Sequence, residues 1–102
     1  MVEVVKGERS SADKVRFYYV YILRCSNDSS YIGCTSNLKE RLNRHEQGHV
    51  PATKNILPVL LITYFAFQNK YTAYNFERYL KSGSGRAFTK KHAFSLDERD
   101  EK

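Results

Sequence analysis

The sequence predicts a small α/β or α+β domain whose elements run β-hairpin, helix, strand, helix, helix. Three observations predict it. Two runs, residues 17–24 (FYYVYILR) and 59–67 (VLLITYFAF), are dense in aromatic and branched residues and have the length of buried strands. The segment SNDSS after the first run is turn chemistry, and Tyr31-Ile32-Gly33 follows it as a short return strand. Between and after these runs lie two polar stretches with apolar residues at helical spacing, each introduced by a capping residue. Strands and helices of this number pack as one sheet layer against helices.

Each element has its own local reasons. Residues 1–16 are polar, without a periodic apolar face, and are expected to form a flexible lead-in. The hairpin centres on Asn27-Asp28, which places Cys25 across from about Ser30. Thr35 or Ser36 can cap a first helix that runs to about Gln47, where Gly48 supplies a stop. HVPATKNILP is an irregular connection holding both prolines of the chain, and at ten residues it is long enough to carry function. Asn69 can cap a second helix through Lys81, ended by Ser82-Gly83-Ser84-Gly85. A last helix is expected from Arg86 to His92, and residues 95–102 form a charged tail. The domain proper is thus expected to span residues 17–94.

Composition narrows the function classes. With 102 residues the chain makes one domain, and 41% hydrophobic residues suffice for a compact core. No apolar run reaches the roughly 20 residues that span a bilayer, and the first sixteen residues lack a signal-peptide core, so a cytoplasmic protein without a membrane partner is expected. Two cysteines without a histidine set make a poor zinc site, and Cys25 and Cys34 are expected to be free thiols. The net charge is +6, but it is unevenly distributed. Residues 17–94 carry eleven cations against four carboxylates, for +7, while the tail carries −2. Such an excess suits a polyanion, and it equally describes an ordinary basic protein.

Several polar residues stand where a helix built only for stability would not put them. Leu38 and Leu42 are expected to define the buried stripe of the first helix, yet Arg41 and His45 share its margin at the same four-residue spacing. The alternative is a snorkelling arginine and a histidine bonded near the helix end. On the second helix Ala73, Phe76 and Leu80 make the stripe, and Glu77 borders it as the only carboxylate between Glu46 and Asp97. A lone carboxylate there suits a hard cation such as Mg²⁺, or else an ordinary salt bridge to Lys81, Arg41 or a neighbour's arginine. Tyr19 and Tyr21 share one face of the first strand, and Tyr31 lies on the returning strand. A phenol can donate to a phosphate or, with its pKa lowered by nearby cations, accept a proton from water; it can also simply pack. No nucleotide-binding glycine loop, zinc-protease HExxH or CxxC pair is present.

These residues fall into a known pattern. The sequence resembles the GIY-YIG nuclease superfamily, most closely its small stand-alone bacterial members. The first motif appears as Tyr19-Val20-Tyr21 and the second as Tyr31-Ile32-Gly33, followed by CTSNLKERLNRH with Arg41 and His45, and by TAYNFERYLKSGSGRAFTKKH with Glu77. The likeness covers about residues 17–92. Two positions depart from it: the glycine opening the first motif is Tyr19, and the lysine that some relatives carry after the second motif is Cys34. The resemblance implies a three-stranded antiparallel sheet flanked by helices, and cleavage of DNA phosphodiesters with Mg²⁺ or Mn²⁺. It implies Glu77 as the metal ligand, Arg41 as the stabiliser of transition-state charge, Tyr21 as proton acceptor directly or through His45, and Tyr31 as a positioning group. Either tyrosine remains open as the base. Arg44, Lys54, Arg86, Lys90 and Lys91 are the expected phosphate contacts. A bare domain of this type is expected to select a nick, flap or branch in DNA repair or recombination, to work with a partner protein, or to be weakly selective. The alternative function is a catalytically weak DNA-binding module of the same fold.

Overall fold

A computed structural model describes residues 16–94; the expected lead-in, apart from Arg16, and the expected tail lie outside the described residues. The elements are β1 (Tyr18–Arg24), β2 (Ser30–Thr35), α1 (Leu38–Glu46), β3 (Leu60–Phe67), α2 (Lys70–Leu80) and α3 (Gly83–Thr89), the last extended by a π-helical turn, Lys90–Phe94. The three strands form one sheet in the order β2-β1-β3, antiparallel throughout. The fold is therefore α+β. The hairpin turns at Asn27-Asp28, where Asp28 takes a positive φ of 69°. Arg24, rather than Cys25, stands opposite Ser30, and both cysteines are free. The return strand is twice the expected length because the ladder continues to Thr35 opposite Tyr19.

Strand periodicity divides the sheet into two faces. Val20, Ile22 and Ile32 face Ala73 and Leu80 of α2 and form the buried core, with Phe65, Phe67, Phe76 and Phe88 packed around it. The opposite face carries Tyr19, Tyr21, Tyr31 and Gly33, and α1 lies over it with the connection to β3. Of four helix-level details, two differ from the sequence expectations. Asn37 caps α1 by accepting from the Glu40 N–H, while Thr35, expected as a cap, instead accepts from the Asn37 N–H. Gly48, at a φ of +78°, turns the chain away after α1 as expected. Asn69 caps α2 through the N–H groups of Tyr71 and Thr72, also as expected. The Ser82-Gly83-Ser84-Gly85 segment follows the end of α2 as expected, but most of it is helical. Ser82 is itself a cap, its hydroxyl accepting from the Gly85 N–H, so α3 begins at Gly83 and not at Arg86.

The buried side of α1 is the larger correction. Leu38 and Leu42 are only half-buried and line an open hollow with Tyr19 and Tyr64. The one fully buried residue of α1 is His45, with no exposed surface. Two polar partners allow this, since a buried imidazole is tolerated only when both ring nitrogens are satisfied.

Candidate active site

The site starts from a missing side chain. Gly33 stands opposite Tyr21 in the ladder, and the Tyr21 ring lies across it. A Cβ at Gly33 would collide with the Tyr21 hydroxyl and ring carbons, so only glycine lets the phenol extend from β1 over β2. There the hydroxyl meets His45 Nε2 at 2.9 Å, and the other ring nitrogen, Nδ1, meets Thr53 Oγ1 at 2.8 Å. Tyr31 closes the cluster: its ring centroid lies 5.2 Å from that of His45 and 6.2 Å from that of Tyr21. Arg41, one turn before His45, brings its guanidinium against the Tyr21 phenol. Its Nε is shut off from solvent and has no hydrogen-bond partner among the described residues. A buried donor left unpaired costs about 1–3 kcal/mol, which an incoming acceptor would recover.

Electrostatics fix the protonation states. Burial pushes the Tyr21 phenol up to about 12, against the pull of the Arg41 guanidinium, with Tyr31 and Glu77 adding to the rise. The expectation that nearby cations lower a tyrosine pKa therefore fails at Tyr21: loss of water outweighs one guanidinium. Burial also pulls His45 below its ordinary 6.5, helped by Arg41 and Arg44. At neutral pH the site holds a neutral phenol and a neutral imidazole. Arg41 has donors only, so it occupies the accepting side of the phenol oxygen. The phenol in turn donates to Nε2, and the Nδ1–H donates to Thr53. Thr53 went unnoticed in the sequence because a threonine within an irregular connection carries no pattern; a polar residue about one helical turn beyond Gly48 was the only sign.

Glu77 lies on α2, which packs against the other face of the sheet. Its charge is felt by both Tyr21 and Cys34. Burial first and Glu77 second raise the Cys34 thiol, which therefore stays neutral. The Glu77 carboxylate bonds Lys81 Nζ at 3.0 Å and keeps about a quarter of its side-chain surface exposed, at 23%. No group of three or more His, Cys, Asp or Glu side chains converges among the described residues. One partly exposed carboxylate fits a hard cation that keeps most of its water, and it does not fit zinc.

The expected phosphate contacts divide into two groups. Arg86, with Tyr31 and Lys81, lines a hollow of about 230 Å³ beside β2, and Lys90 lines the adjoining one. Arg44 and Lys54 are exposed and adjoin the buried His45 and Thr53 in sequence. Lys91 is exposed on the π-helical turn.

Comparison with known proteins shows the family. The model of the GIY-YIG catalytic domain matches residues 17–91. A UPF0213 protein from Pediococcus pentosaceus is 37% identical over 84 residues, covering 78% of this chain and 87% of its own. One from Clostridium perfringens is 41% identical over 64 residues, covering 62% of this chain and 69% of its own. The solution NMR structure of a UPF0213 protein from Bacillus halodurans is 33% identical, with a TM-score of 0.49, and the match covers 78% of this chain and 84% of that one. No described helix is long and apolar enough to cross a membrane. The chain belongs to the GIY-YIG family, among its small UPF0213 proteins.

Proposed function

We propose that the protein is a DNA endonuclease that hydrolyses phosphodiesters with the help of Mg²⁺ or Mn²⁺. The observation that carries this reading is the Arg41 guanidinium, whose buried Nε lacks a partner beside a phenol already hydrogen-bonded to a neutral imidazole. Arg41 holds a non-bridging phosphate oxygen and offsets the charge that accumulates on it in the transition state. The attacking water gives a proton to the Tyr21 oxygen as the Tyr21 hydroxyl proton passes to His45 Nε2. Phenolate need never accumulate, which suits a phenol whose pKa is about 12. Thr53 receives the Nδ1–H and so keeps Nε2 free to accept. Tyr31 stands against both rings and directs its hydroxyl to the phosphate or the water. Glu77 would hold the metal ion, which would supply Lewis-acid polarisation of the phosphate and charge neutralisation at the leaving 3′ oxygen. That oxygen takes a proton from solvent, leaving a 3′ hydroxyl and a 5′ phosphate.

The test is cleavage of nicked, flapped, branched and plasmid DNA by the purified protein, with Mg²⁺ or with EDTA. We expect Glu77→Gln and Arg41→Ala to lose about 100-fold or more in rate, the cost of removing one stabiliser of transition-state charge, while Glu77→Gln still binds DNA. Cutting by either variant at the parental rate removes its assigned role. Binding without any metal-dependent cutting by the parent protein makes it a DNA-binding module instead.

A further inference from the structure

Helix α2 breaks the rules of a surface helix on the side that continues from Glu77. By spacings of three and four residues Lys70, Tyr74, Glu77 and Lys81 share one face, with Tyr71 and Arg78 along its flank. Tyr71 is 68% exposed and Tyr74 is 45% exposed, although the core face of the same helix is already supplied by Ala73, Phe76 and Leu80. Their rings meet edge to face with centroids 6.4 Å apart, and Lys70 Nζ stands 5.6 Å from the Tyr71 centroid. An exposed helical site is better held by Ala, Glu or Gln than by tyrosine, and apolar ring surface gains nothing in water. Lys70 also opens the helix, with no acidic residue in the first turn, where a cation opposes the helix dipole. Neither packing nor helix stability explains these choices.

A ligand does. Three cations on this face against the single carboxylate of Glu77 call for a polyanion, and exposed tyrosine rings call for flat groups that stack. A duplex keeps its base faces within its own stack, whereas an unpaired strand offers both phosphates and base faces. We propose that this face of α2 binds unpaired DNA beside the scission site, with bases stacked on Tyr71 and Tyr74 and the backbone held by Lys70 and Arg78. Along the helix axis Tyr71 lies about 9 Å from Glu77, close enough for one short strand to span both. This names the DNA structure presented to the site proposed above and rests on that reading. The binding itself requires no cleavage.

Fluorescence anisotropy in EDTA tests it, with a labelled oligothymidine of about 12 nucleotides and a duplex of equal length. We expect Tyr71→Ala/Tyr74→Ala to weaken oligothymidine binding about tenfold or more, and duplex binding less than about twofold. The Tyr71→Phe/Tyr74→Phe pair keeps the ring faces and is expected to bind oligothymidine within about twofold of the parent. The inference is overturned if the alanine pair binds the single strand normally, if it loses both ligands equally, or if the phenylalanine pair loses as much as the alanine pair. Should the alanine pair lose its far-UV circular dichroism, each single alanine variant is measured instead, with about a threefold loss expected and no loss overturning the inference. Restoring Mg²⁺ separates the two readings. Strand binding through the tyrosines with no cutting sinks the nuclease alone, and cutting with tyrosine-independent binding sinks only this inference.

Discussion

At Tyr21, His45 and Thr53 three side chains share two hydrogen bonds inside the protein, and both function and stability depend on which way those bonds point. Thr53→Val removes the hydroxyl that fixes the imidazole. We expect it to cost about 1–3 kcal/mol in chemical denaturation, the penalty for a buried N–H left unpaired, and to slow cleavage, while Thr53→Ser restores both. Unchanged stability and rate in the valine variant would show that the tautomer is fixed by something else. The pH dependence follows from His45. Its folded pKa is lowered, so the unfolded chain binds the proton more readily. This contribution to stability is complete above pH 6.5 and is lost as pH falls below it toward the folded value. Melting temperature is therefore expected to drop in that window, and His45→Gln to remove the His45 part of the drop. Cleavage should fade over the same window, because a protonated Nε2 cannot accept from Tyr21. Of these residues Tyr21, Arg41 and His45 were legible in the sequence through spacing and resemblance. The rise of the Tyr21 pKa was not, since burial of a phenol depends on what covers it and not on its neighbours in the chain.

Among the elements, β2 and α1 do most to shape the site. Gly33 is the permissive position: its lack of a side chain seats the Tyr21 ring. Gly33→Ala is expected to destabilise the protein by about 1–3 kcal/mol through overpacking and to abolish cleavage by displacing the phenol. A variant that melts normally and cuts normally would mean that the ring has room elsewhere. Helix α1 shows where pattern reading reaches its limit. Its leucines set the apolar stripe in sequence, yet they only line an open hollow, while His45 takes the buried place because Tyr21 and Thr53 satisfy both its nitrogens. Periodicity registers hydrophobicity and cannot register partners supplied by a strand and a distant loop. The strands were readable because β1 pairs on both edges and concentrates apolar residues. Ser82–Gly85 marks the end of α2 in the sequence but hides the start of α3, because small residues suit a linker and a helix cap alike.

For the whole molecule, the distribution of charge matters more than its sum. Arg86 and Lys90 stand beside the β2 hollows, while Arg44 and Lys54 are exposed and adjoin the buried His45 and Thr53 in sequence. If these four and Lys91 each meet a phosphate, log affinity for duplex DNA should fall with log salt at a slope of about −4 to −5. Each alanine replacement among them should reduce the slope by about one; a variant with the parental slope touches no phosphate. The outer position of β2 has one more consequence. On the proposed reading Glu77 and Tyr21 act from opposite faces of the sheet, so a strand docked along that open margin from any other polypeptide would obstruct a ligand reaching both. The margin of β3 lies two strands away. On the same reading, assembly through one rim of this sheet would silence the nuclease, and assembly through the other would not.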